Sequence, residues 1–475
     1  MKEYKVLLGG KWVEGREKRE IRFPYDDRKI AEVHIAGVDI AEEALDLAKK
    51  AFETTKRLTS EERYNILATV SRRLKDLERE MAEDITLSCG KPIKDAITEV
   101  KRAQFTFLTA AEEAKRIPGE IYSLDMRKGA EERWAIIRRF PIGVIFGISP
   151  FNFPLNLVAH KLAPAIASGN TIIIRPATQT ATVALRLGEI LYEAGLPEGA
   201  LSVLPSTYDA ADRIIADSRV KLLTFTGSAD VGWKLKERAV KKRVVLELGG
   251  NAASVVEPDT SFDWAVERNV LGAYNYSGQV CISVQRIYVH RSLYDRFVSE
   301  FVKRVKKLKI GDPLDPDVKV GPMINDAAVE KTIEWVEEAK KMGGKILIGG
   351  ERKGRILTPM VIVDVPHEAK VVSEEAFAPL VVILPYDDFE EAIDRVNDSR
   401  YGLQAGVFTN NLLKARYAYE NLVVGGVVLN DVPSFRVDHM MYGGVKDSGF
   451  GREGLRYAIE EMTEPRLLVL NTKFS

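Results

Sequence analysis

The chain is poor in the side chains that build disulfide-linked or metal-bound frameworks. It has two cysteines, Cys89 and Cys281, and five histidines among 475 residues. Two cysteines cannot supply the disulfide framework of a small secreted protein. The cysteines and histidines show no ligand spacing together, so we expect no catalytic metal. We interpret Cys89 as a packing residue.

Neither an excess of one charge nor a long apolar run is present. Lys+Arg and Asp+Glu both number 69, so no net charge attracts nucleic acid. The longest apolar runs, such as GVIFGIS, are far shorter than a membrane span, and MKEYKVLLGGKWVEG is not a signal peptide. We therefore expect a cytoplasmic protein without nucleic-acid or membrane partners. Glutamine is scarce beside Glu, Lys and Arg, a bias of heat-adapted proteins.

Residue periodicity predicts helices in the first part of the chain. With 475 residues the chain is too long for one compact core, so we expect two or three domains. After a strand-like start, helical spacing covers 41–56, a long pattern that begins at Ser60 as its N-cap, and 93–116. The charged, alternating segment 120–139 is typical of a strand pair outside the main core.

From Ile142 onward, short β-branched runs alternate with amphipathic helices. The runs GVIFGIS, TIIIRP, LSVLP, KLLTFTGS and RVVLEL predict a mostly parallel sheet with helices on both faces. A second strand–helix series follows Glu247 and predicts a second α/β domain. The last strand-like run, PRLLVLN, has no partner nearby in sequence. We therefore expect it to pair in another domain or subunit.

Turns that can bind a ligand follow the predicted strands. Ligands bind at the carboxyl ends of parallel strands, which is where SPFNFP, RPAT and FTGS fall. The G-x-G-x-x-G fingerprint is absent after the first strand, which argues against an ordinary Rossmann phosphate loop. Gly227 and Ser228, with Gly232, instead form a turn before a helix, where backbone N–H groups can meet one phosphate.

Six segments occur in a fixed order between Ser149 and Gly454: SPFNFPLNLVAHKLAPAIASGNT, KLLTFTGSADVG, LELGG, SGQVC, EEAFAPL and GGVKDSGFGREG. In this order they resemble the aldehyde dehydrogenase superfamily, and the tail and FRVDHM resemble its lactaldehyde, phosphonoacetaldehyde and semialdehyde branch. The resemblance implies an α/β fold and a homodimer or homotetramer. The implied parts are a Rossmann-type nucleotide-binding domain (1–119 and 140–247), a catalytic domain (248–450) and a small β oligomerisation flap (120–139 and 451–475).

Three residues are candidates for the chemistry of aldehyde oxidation. Attack of the Cys281 thiolate on the carbonyl gives the tetrahedral carbon from which hydride leaves. The side-chain amide of Asn152, beside the Cys281 N–H, can stabilise the oxyanion. Glu247 can activate water against the thioester, provided that its pocket keeps its pKa near neutral. In the family the matching residues have these roles, and acylating relatives that use coenzyme A lack the glutamate, so a free acid is the expected product.

The resemblance also implies the residues that bind NAD or NADP. NAD-preferring relatives carry Lys-Pro-x-Glu where this chain has Arg175, Pro176, Ala177 and Thr178. Without the glutamate a 2′-phosphate is not repelled, and Arg175 can pair with it, so NADP is expected to be tolerated. Whether NADP is preferred stays open. The remaining expected cofactor contacts are Gly227 and Ser228 at the pyrophosphate, with Gly232 in the same turn, Glu375 at the nicotinamide ribose, and Phe377 at the ring.

Arg102, His160 and Arg436 are candidates for binding the tail of the aldehyde. Comparable residues lie near the substrate in the branches that take small anionic aldehydes, so we expect a small polar or anionic substrate such as lactaldehyde or a semialdehyde. Each residue also has a structural alternative: Arg102 could lie on a solvated helix face, His160 could be an interface histidine, and Arg436 could form a surface ion pair.

A non-phosphorylating glyceraldehyde-3-phosphate dehydrogenase is the second candidate function, although Val280 stands where those enzymes often have Arg. A catalytically idle member is a third, and the presence of the three catalytic residues argues against it.

Overall fold

The computed structural model describes residues 2–473, which form two α/β units and a small separate sheet. Up to residue 247 the elements are, in chain order, β1 (Lys2–Tyr4), β2 (Val6–Leu8), β3 (Lys11–Val13), β4 (Glu17–Arg22), β5 (Lys29–Ile35), α1 (Val38–Thr55), α2 (Ser60–Asp76), α3 (Glu78–Cys89), α4 (Ile93–Ala114), β6 (Glu120–Ser123), β7 (Arg133–Pro141), β8 (Val144–Ile148), α5 (Asn156–Ala167), β9 (Thr171–Arg175), α6 (Ala181–Glu193), β10 (Leu201–Val203), α7 (Tyr208–Ala216), β11 (Val220–Thr226), α8 (Ala229–Ala239) and β12 (Arg243–Glu247).

The elements beyond residue 247 are β13 (Ala253–Val256), α9 (Phe262–Tyr274), β14 (Arg286–His290), α10 (Arg291–Val305), α11 (Asp326–Lys341), β15 (Lys345–Ile348), β16 (Arg352–Lys353), β17 (Ile356–Leu357), β18 (Met360–Val363), α12 (Lys370–Ser373), β19 (Leu380–Tyr386), α13 (Phe389–Asn397), β20 (Tyr401–Gly402), β21 (Gln404–Phe408), α14 (Leu412–Asn421), β22 (Gly426–Leu429), β23 (Val445–Lys446), β24 (Gly449–Phe450), α15 (Leu455–Glu461) and β25 (Thr463–Asn471). In the part of the chain that is described, no helix is both long and apolar enough to cross a membrane.

The first unit is built on an eight-stranded sheet in the order β24-β12-β11-β8-β9-β10-β2-β3. Its central strands β8 to β12 run parallel. Every residue of β8 is buried, because helices cover both faces and leave no side of a central parallel strand in water. Helices α4, α5 and α6 pack on one face, and α1, α7 and α8 on the other. The predicted α/β class is confirmed.

The second unit contains a seven-stranded sheet in the order β15-β18-β19-β14-β13-β21-β22. All of its strand pairs are parallel except that of β15 with β18. Helix α9 packs on this sheet, and the loop between α9 and β14 contacts the first unit, where the Tyr276 hydroxyl donates to the Cys89 carbonyl oxygen at 3.1 Å. The residues between α9 and β14 include Cys281, so the predicted nucleophile lies in the loop that leads into the central strand of the second sheet.

A separate antiparallel sheet in the order β25-β7-β6 joins the chain's last strand to its middle. β25 pairs with β7 from Thr463 opposite Pro141 to Asn471 opposite Arg133. The run PRLLVLN therefore finds its partner more than 300 residues earlier in the same chain. Only Thr463 of this strand is buried, and four consecutive apolar side chains, Leu467, Leu468, Val469 and Leu470, are 42–55% exposed.

Several predicted boundaries differ from the observed ones. Thr59, not Ser60, caps α2, through a capping box with Glu62. The long pattern that follows is two helices, since α2 ends at Asp76 and α3 begins at Glu78. Beyond residue 451, α15 packs in the core of the first unit, and the chain leaves that core only at Thr463.

Candidate active site

A cavity of about 430 Å³ lies between the two units. The carboxyl ends of β8, β11 and β12 form one wall. This is the end of a parallel sheet at which ligands bind. The loops before β14 and β19 form the opposite wall. The predicted site residues that line it are Arg102, Asn152, Gly227, Ser228, Glu247, Cys281, Glu375, Phe377 and Arg436, whereas His160, Arg175, Thr178 and Gly232 are outside this lining.

Cys281 is presented by a turn of unusual backbone conformation. Tyr276, Ser277 and Gly278 all have positive φ. A Cβ on Gly278 would lie 2.1 Å from the carbonyl oxygen of Ala378, so only glycine fits there. The Cys281 Sγ lies 3.3 Å from the hydroxyl oxygen of Tyr442. Burial raises the pKa of the thiol to about 11, against the lowering effects of that hydroxyl and of a nearby arginine charge.

Asn152 is tied to the same turn. Its Nδ2 donates to the carbonyl oxygen of Gln279, two residues before Cys281, at 3.0 Å. The amide is buried, and one N–H of Nδ2 remains for a further acceptor. The side chain of Gln279 is fixed in turn, since its Oε1 accepts from the Ile324 N–H at 2.9 Å. The turn and the amide that follows β8 therefore hold each other in place.

Glu247 is a buried carboxyl at the end of β12. It is 3% exposed, and neither carboxyl oxygen has a hydrogen-bond partner within the described residues. Burial raises its pKa well above the usual value, and the negative charge of Glu453 adds to the rise. An unpartnered carboxyl with a raised pKa is suited to general-base chemistry.

The two glycines that follow Glu247 and Leu248 are required by close approaches. A Cβ on Gly249 would lie 2.4 Å from a carboxylate oxygen of Glu375, and one on Gly250 would lie 2.3 Å from the Cys281 carbonyl oxygen. The backbone contact leaves no room for a side chain at Gly250, whereas a side chain at Gly249 would have to displace the Glu375 carboxylate. The LELGG segment thus brings Glu247, the loop that contains Cys281, and Glu375 together.

Lys161 and Glu453 form a buried charged pair beside Glu247 that the sequence patterns did not identify. The Lys161 Nζ donates to the hydroxyls of Thr224 and Thr226 at 2.9 and 2.8 Å and lies 3.3 Å from Glu453 Oε1. Burial raises the pKa of Glu453, but the charges of Lys161 and its other cationic neighbours outweigh burial and hold that pKa below its usual value. The sequence did contain a signal: Lys161 lies on a helix that is otherwise almost wholly apolar.

Arg102 and His160 converge on Asp438, a second residue that the sequence patterns did not identify. Arg102 donates from Nε to Oδ2 at 3.1 Å and from Nη2 to Oδ1 at 2.8 Å. The His160 Nε2 lies 2.9 Å from Oδ1, and the Asn156 Nδ2 donates to the same oxygen at 2.9 Å. Burial opposes ionisation of Asp438, but His160 and Arg102 overcome it and hold its pKa below the usual range. Arg102 therefore enters the cavity with its orientation fixed.

Arg436 is a buried cation in the cavity wall. Its guanidinium lies 3.6 Å from the centre of the Tyr442 ring, and its Nη2 is 3.4 Å from Glu453 Oε2. Its Nε has no partner among the described residues. A buried donor without an acceptor is costly, which points to a ligand oxygen at this place.

Of the predicted cofactor residues, Gly227 and Ser228 lie on the wall formed by the first sheet, and Glu375 and Phe377 lie on the opposite wall. Glu375 Oε1 accepts from the Gly250 N–H at 3.0 Å, and burial raises the pKa of Glu375 to about 7. The ring of Phe377 packs edge-on against Phe151 with ring centres 6.0 Å apart. A Cβ on Gly232 would lie 2.3 Å from Leu248, so this glycine lets α8 approach β12 closely rather than lining the cavity.

The family model described as aldehyde dehydrogenase family matches residues 12–468. The chain belongs to the aldehyde dehydrogenase family. It is 43% identical over 474 residues to the 3-sulfolactaldehyde dehydrogenase of Priestia aryabhattai, covering 99% of this chain and 98% of that protein. The resemblance inferred from the six segments is thereby confirmed, as is the enzyme class, an NAD(P)-dependent aldehyde dehydrogenase.

Two solved structures of aldehyde dehydrogenases are similar over nearly their whole length. Aldehyde dehydrogenase 21 from Physcomitrella patens, in complex with the reaction product succinate, is 46% identical with a TM-score of 0.97, covering 99% of this chain and 98% of that chain. The glyceraldehyde-3-phosphate dehydrogenase from Methanocaldococcus jannaschii, complexed with NADP, is 38% identical with a TM-score of 0.92, covering 96% and 99%.

Buried polar atoms at the ends of the first sheet's strands fit the nicotinamide cofactor of an aldehyde dehydrogenase. Three of them have no partner among residues 2–473, namely Ser149 Oγ, Arg175 Nε and Ser206 Oγ, and Trp233 Nε1 in α8 has none either. The guanidinium of Arg175 also lies over the Tyr208 ring at 5.2 Å, and its Nη2 donates to the Ser206 carbonyl oxygen at 3.2 Å. Ser228 precedes α8 directly, with the helix N-terminus available to an anion.

Proposed function

We propose that this enzyme oxidises a small anionic aldehyde to its carboxylate, with Cys281 as the nucleophile, Glu247 as the base and NAD(P) as the hydride acceptor. One observation supports the proposal most strongly. A single cavity combines a thiol, an unpartnered carboxyl with a raised pKa, and Arg436, a buried guanidinium with an unpartnered donor. These are the groups that attack a carbonyl, activate water and bind an anion.

The covalent steps follow from these groups. The thiolate of Cys281 forms a bond to the carbonyl carbon, and the carbonyl π electrons move to the oxygen. That oxyanion is placed to accept from the free N–H of Asn152 Nδ2 and from the Cys281 backbone N–H. When bound, NAD(P) supplies the hydride acceptor. Cys281 then holds the acyl group as a thioester.

Hydrolysis of the thioester requires a base. Glu247 removes a proton from water, the water oxygen bonds to the acyl carbon, and the carbon–sulfur bond breaks to return the thiolate. The raised pKa of Glu247 keeps the proton affinity of its carboxylate high enough for this task. The product is the free carboxylic acid.

An anionic substrate is supported by the charges that line the cavity. Arg436 and Arg102 both line it, and Asp438 fixes the second of them through two hydrogen bonds. The names of three similar proteins refer to anionic compounds, 3-sulfolactaldehyde, succinate and glyceraldehyde 3-phosphate, whereas others are named for the uncharged lactaldehyde. We include His160 in the proposed pocket as a positioning group, because its ring contacts Asp438.

A substrate panel tests this proposal. We expect kcat/KM for 3-sulfolactaldehyde or succinate semialdehyde to exceed that for lactaldehyde and hexanal, and to fall by a factor of about 100 in Arg436→Met, since a charge-assisted pair is lost. Hexanal should be much less affected. A preference for hexanal, or an equal loss for every aldehyde, would contradict the anion pocket. A preference for glyceraldehyde 3-phosphate would favour the second candidate function, which Val280 argues against.

NADP recognition is supported by the charges around Arg175. Burial lowers the pKa of Arg175, and the positive charge of Arg19 in β4 adds to this effect. β4 contacts the turn that contains Thr178, because the Gln179 Nε2 donates to the Arg22 carbonyl oxygen at 2.7 Å. The two positive charges of Arg175 and Arg19 can attract a 2′-phosphate, and Thr178 carries no carboxylate that would repel it. We therefore propose that the enzyme uses NADP as well as NAD.

We also propose that the enzyme is a cytoplasmic homodimer or homotetramer. Strand β25 exposes Leu467, Leu468, Val469 and Leu470, and β6 and β7 add Ile121 and Trp134. Contiguous exposed apolar side chains are typical of an interface. The oligomeric state is testable by light scattering of the purified enzyme.

A further inference from the structure

Tyr442 lies in the wall of the cavity with its hydroxyl directed at the nucleophile. Its backbone is fixed by a pair of hydrogen bonds with Glu453, at 3.0 Å from the Tyr442 N–H and 2.7 Å to the Tyr442 carbonyl oxygen. Gly443, which follows it, has a φ of 147°. The ring is 3% exposed. The short distance of 3.3 Å to Cys281 Sγ is therefore set by the fold rather than by a mobile side chain.

The Tyr442 hydroxyl has Cys281 Sγ as its hydrogen-bond partner, and none other is found for it in residues 2–473. Arg436 covers one face of the ring at 3.6 Å. A cation over an aromatic face draws electron density from the ring, which strengthens the phenol as a donor. The arginine proposed to bind the substrate anion thus contacts the group that contacts the nucleophile.

We propose that Tyr442 is a catalytic residue whose hydroxyl donates a hydrogen bond to the Cys281 thiolate and so increases the fraction of nucleophile that is ready to react. This inference rests on the proposed role of Cys281. A thiolate can only accept, so the phenol must be the donor when the nucleophile is charged. Burial raises the pKa of Tyr442 well above its usual value, so the phenol keeps its proton throughout the working range.

The size of the effect follows from two opposing terms. A hydrogen bond to a charged group changes the pKa of that group by about one to two units. A thiolate of lower pKa is also less nucleophilic, with a Brønsted coefficient of about 0.4–0.5. Below the thiol pKa the gain in thiolate outweighs the loss in reactivity, so the net rate gain is about 3- to 10-fold. As the carbon–sulfur bond forms, sulfur uses the electron pair that accepted the hydrogen, and the hydroxyl is released.

The test is the pH dependence of Cys281 alkylation by iodoacetamide, followed by mass spectrometry of the peptide that contains Cys281, with and without NADP. We expect Tyr442→Phe to move the midpoint of the pH dependence of alkylation upward by about one to two pH units. Alkylation at neutral pH should become slower by about 3- to 10-fold. The matched control is Tyr274→Phe, which removes another buried hydroxyl, one that donates to the Met360 carbonyl oxygen at 2.8 Å away from the cavity. This control should leave the midpoint unchanged.

Each outcome decides the question. An unchanged midpoint in Tyr442→Phe, or an equal shift in both variants, overturns the inference. If Tyr442→Phe does not fold, as circular dichroism would show, 3-fluorotyrosine at position 442 replaces it, and its stronger donor must lower the midpoint. Full aldehyde oxidation by Cys281→Ala would instead overturn the proposed function itself, and with it the role of Tyr442.

Discussion

Arg102 and Asp438, 336 residues apart in sequence, are joined by two hydrogen bonds of 3.1 and 2.8 Å. Asp438 is 3% exposed and also accepts from Asn156, so it is a fixed anchor. The guanidinium of Arg102 is 25% exposed and lines the cavity. Asp438 holds the Arg102 side chain in one orientation. A substrate anion that binds to Arg102 therefore does not pay the entropy cost of ordering that side chain.

Asp438→Asn should therefore raise KM for an anionic aldehyde by a factor of about 10 to 100 while changing kcat less, since a hydrogen bond between charged groups is lost. The matched control is Asp431→Asn. Asp431 forms a similar two-point pair with Arg268, at 2.6 and 3.2 Å, outside the cavity lining. Steady-state kinetics with succinate semialdehyde and hexanal measure the effect. Equal changes in the two variants would mean that Asp438 only stabilises the fold.

Glu247→Gln should separate hydride transfer from hydrolysis. The amide cannot remove a proton from water, so the enzyme should form the thioester once and then stop. Rapid mixing should show a burst of reduced cofactor, with steady turnover reduced by at least about 100-fold. Glu247→Asp keeps a carboxyl on a shorter side chain and should retain part of the steady rate. Normal steady turnover in Glu247→Gln would remove Glu247 as the base.

Thr178→Glu should reduce the use of NADP selectively. A carboxylate near the 2′-phosphate repels it, and like charges at a partly buried site weaken binding by a factor of about 10 to 100. We expect kcat/KM with NADP to fall by this factor and kcat/KM with NAD to change by less than about 3-fold. Thr178→Gln adds the same bulk without the charge and should leave the NADP to NAD ratio near its wild-type value. The same fall in both variants would assign the effect to bulk alone.

The two parallel sheets were predictable because their signal is local. Each buried strand is a short β-branched run, and each ends in a polar turn, so the sequence alone places Asn152, Glu247 and the turn at Gly227 at one edge of the sheet. Strands β4 and β5, which form a small sheet with β1, were missed because β4 is charged and neither strand alternates regularly between apolar and polar residues over its whole length. Their pairing depends on contacts with the rest of the fold, not on a periodic pattern.

The partners of the charged residues were not predictable in the same way. Whether Arg102 meets substrate or an internal acid depends on the path of the loop that contains Asp438, which no spacing in the sequence specifies. Lys161 and Glu453 are likewise brought together from α5 and from the segment after β24. Tertiary contacts of this kind appear in sequence only as isolated charges among apolar residues, as Lys161 does.

Glu453→Gln should lower the pH at which hydrolysis of the thioester becomes active. Burial and the negative charge of Glu453 both raise the pKa of Glu247, and the charges of Arg436 and Lys161 lower it. Without the Glu453 charge, the positive charges of Arg436 and Lys161 lower the pKa of Glu247 with less opposition. That pKa therefore falls, and Glu247 is ionised and able to act as the base at a lower pH. The acid limb of kcat should therefore move down by about one unit or more. Glu461→Gln, a half-buried acid outside the cavity lining, is the control and should leave the limb in place. An acid limb that stays or moves up in Glu453→Gln would show that Glu247 is not coupled to Glu453.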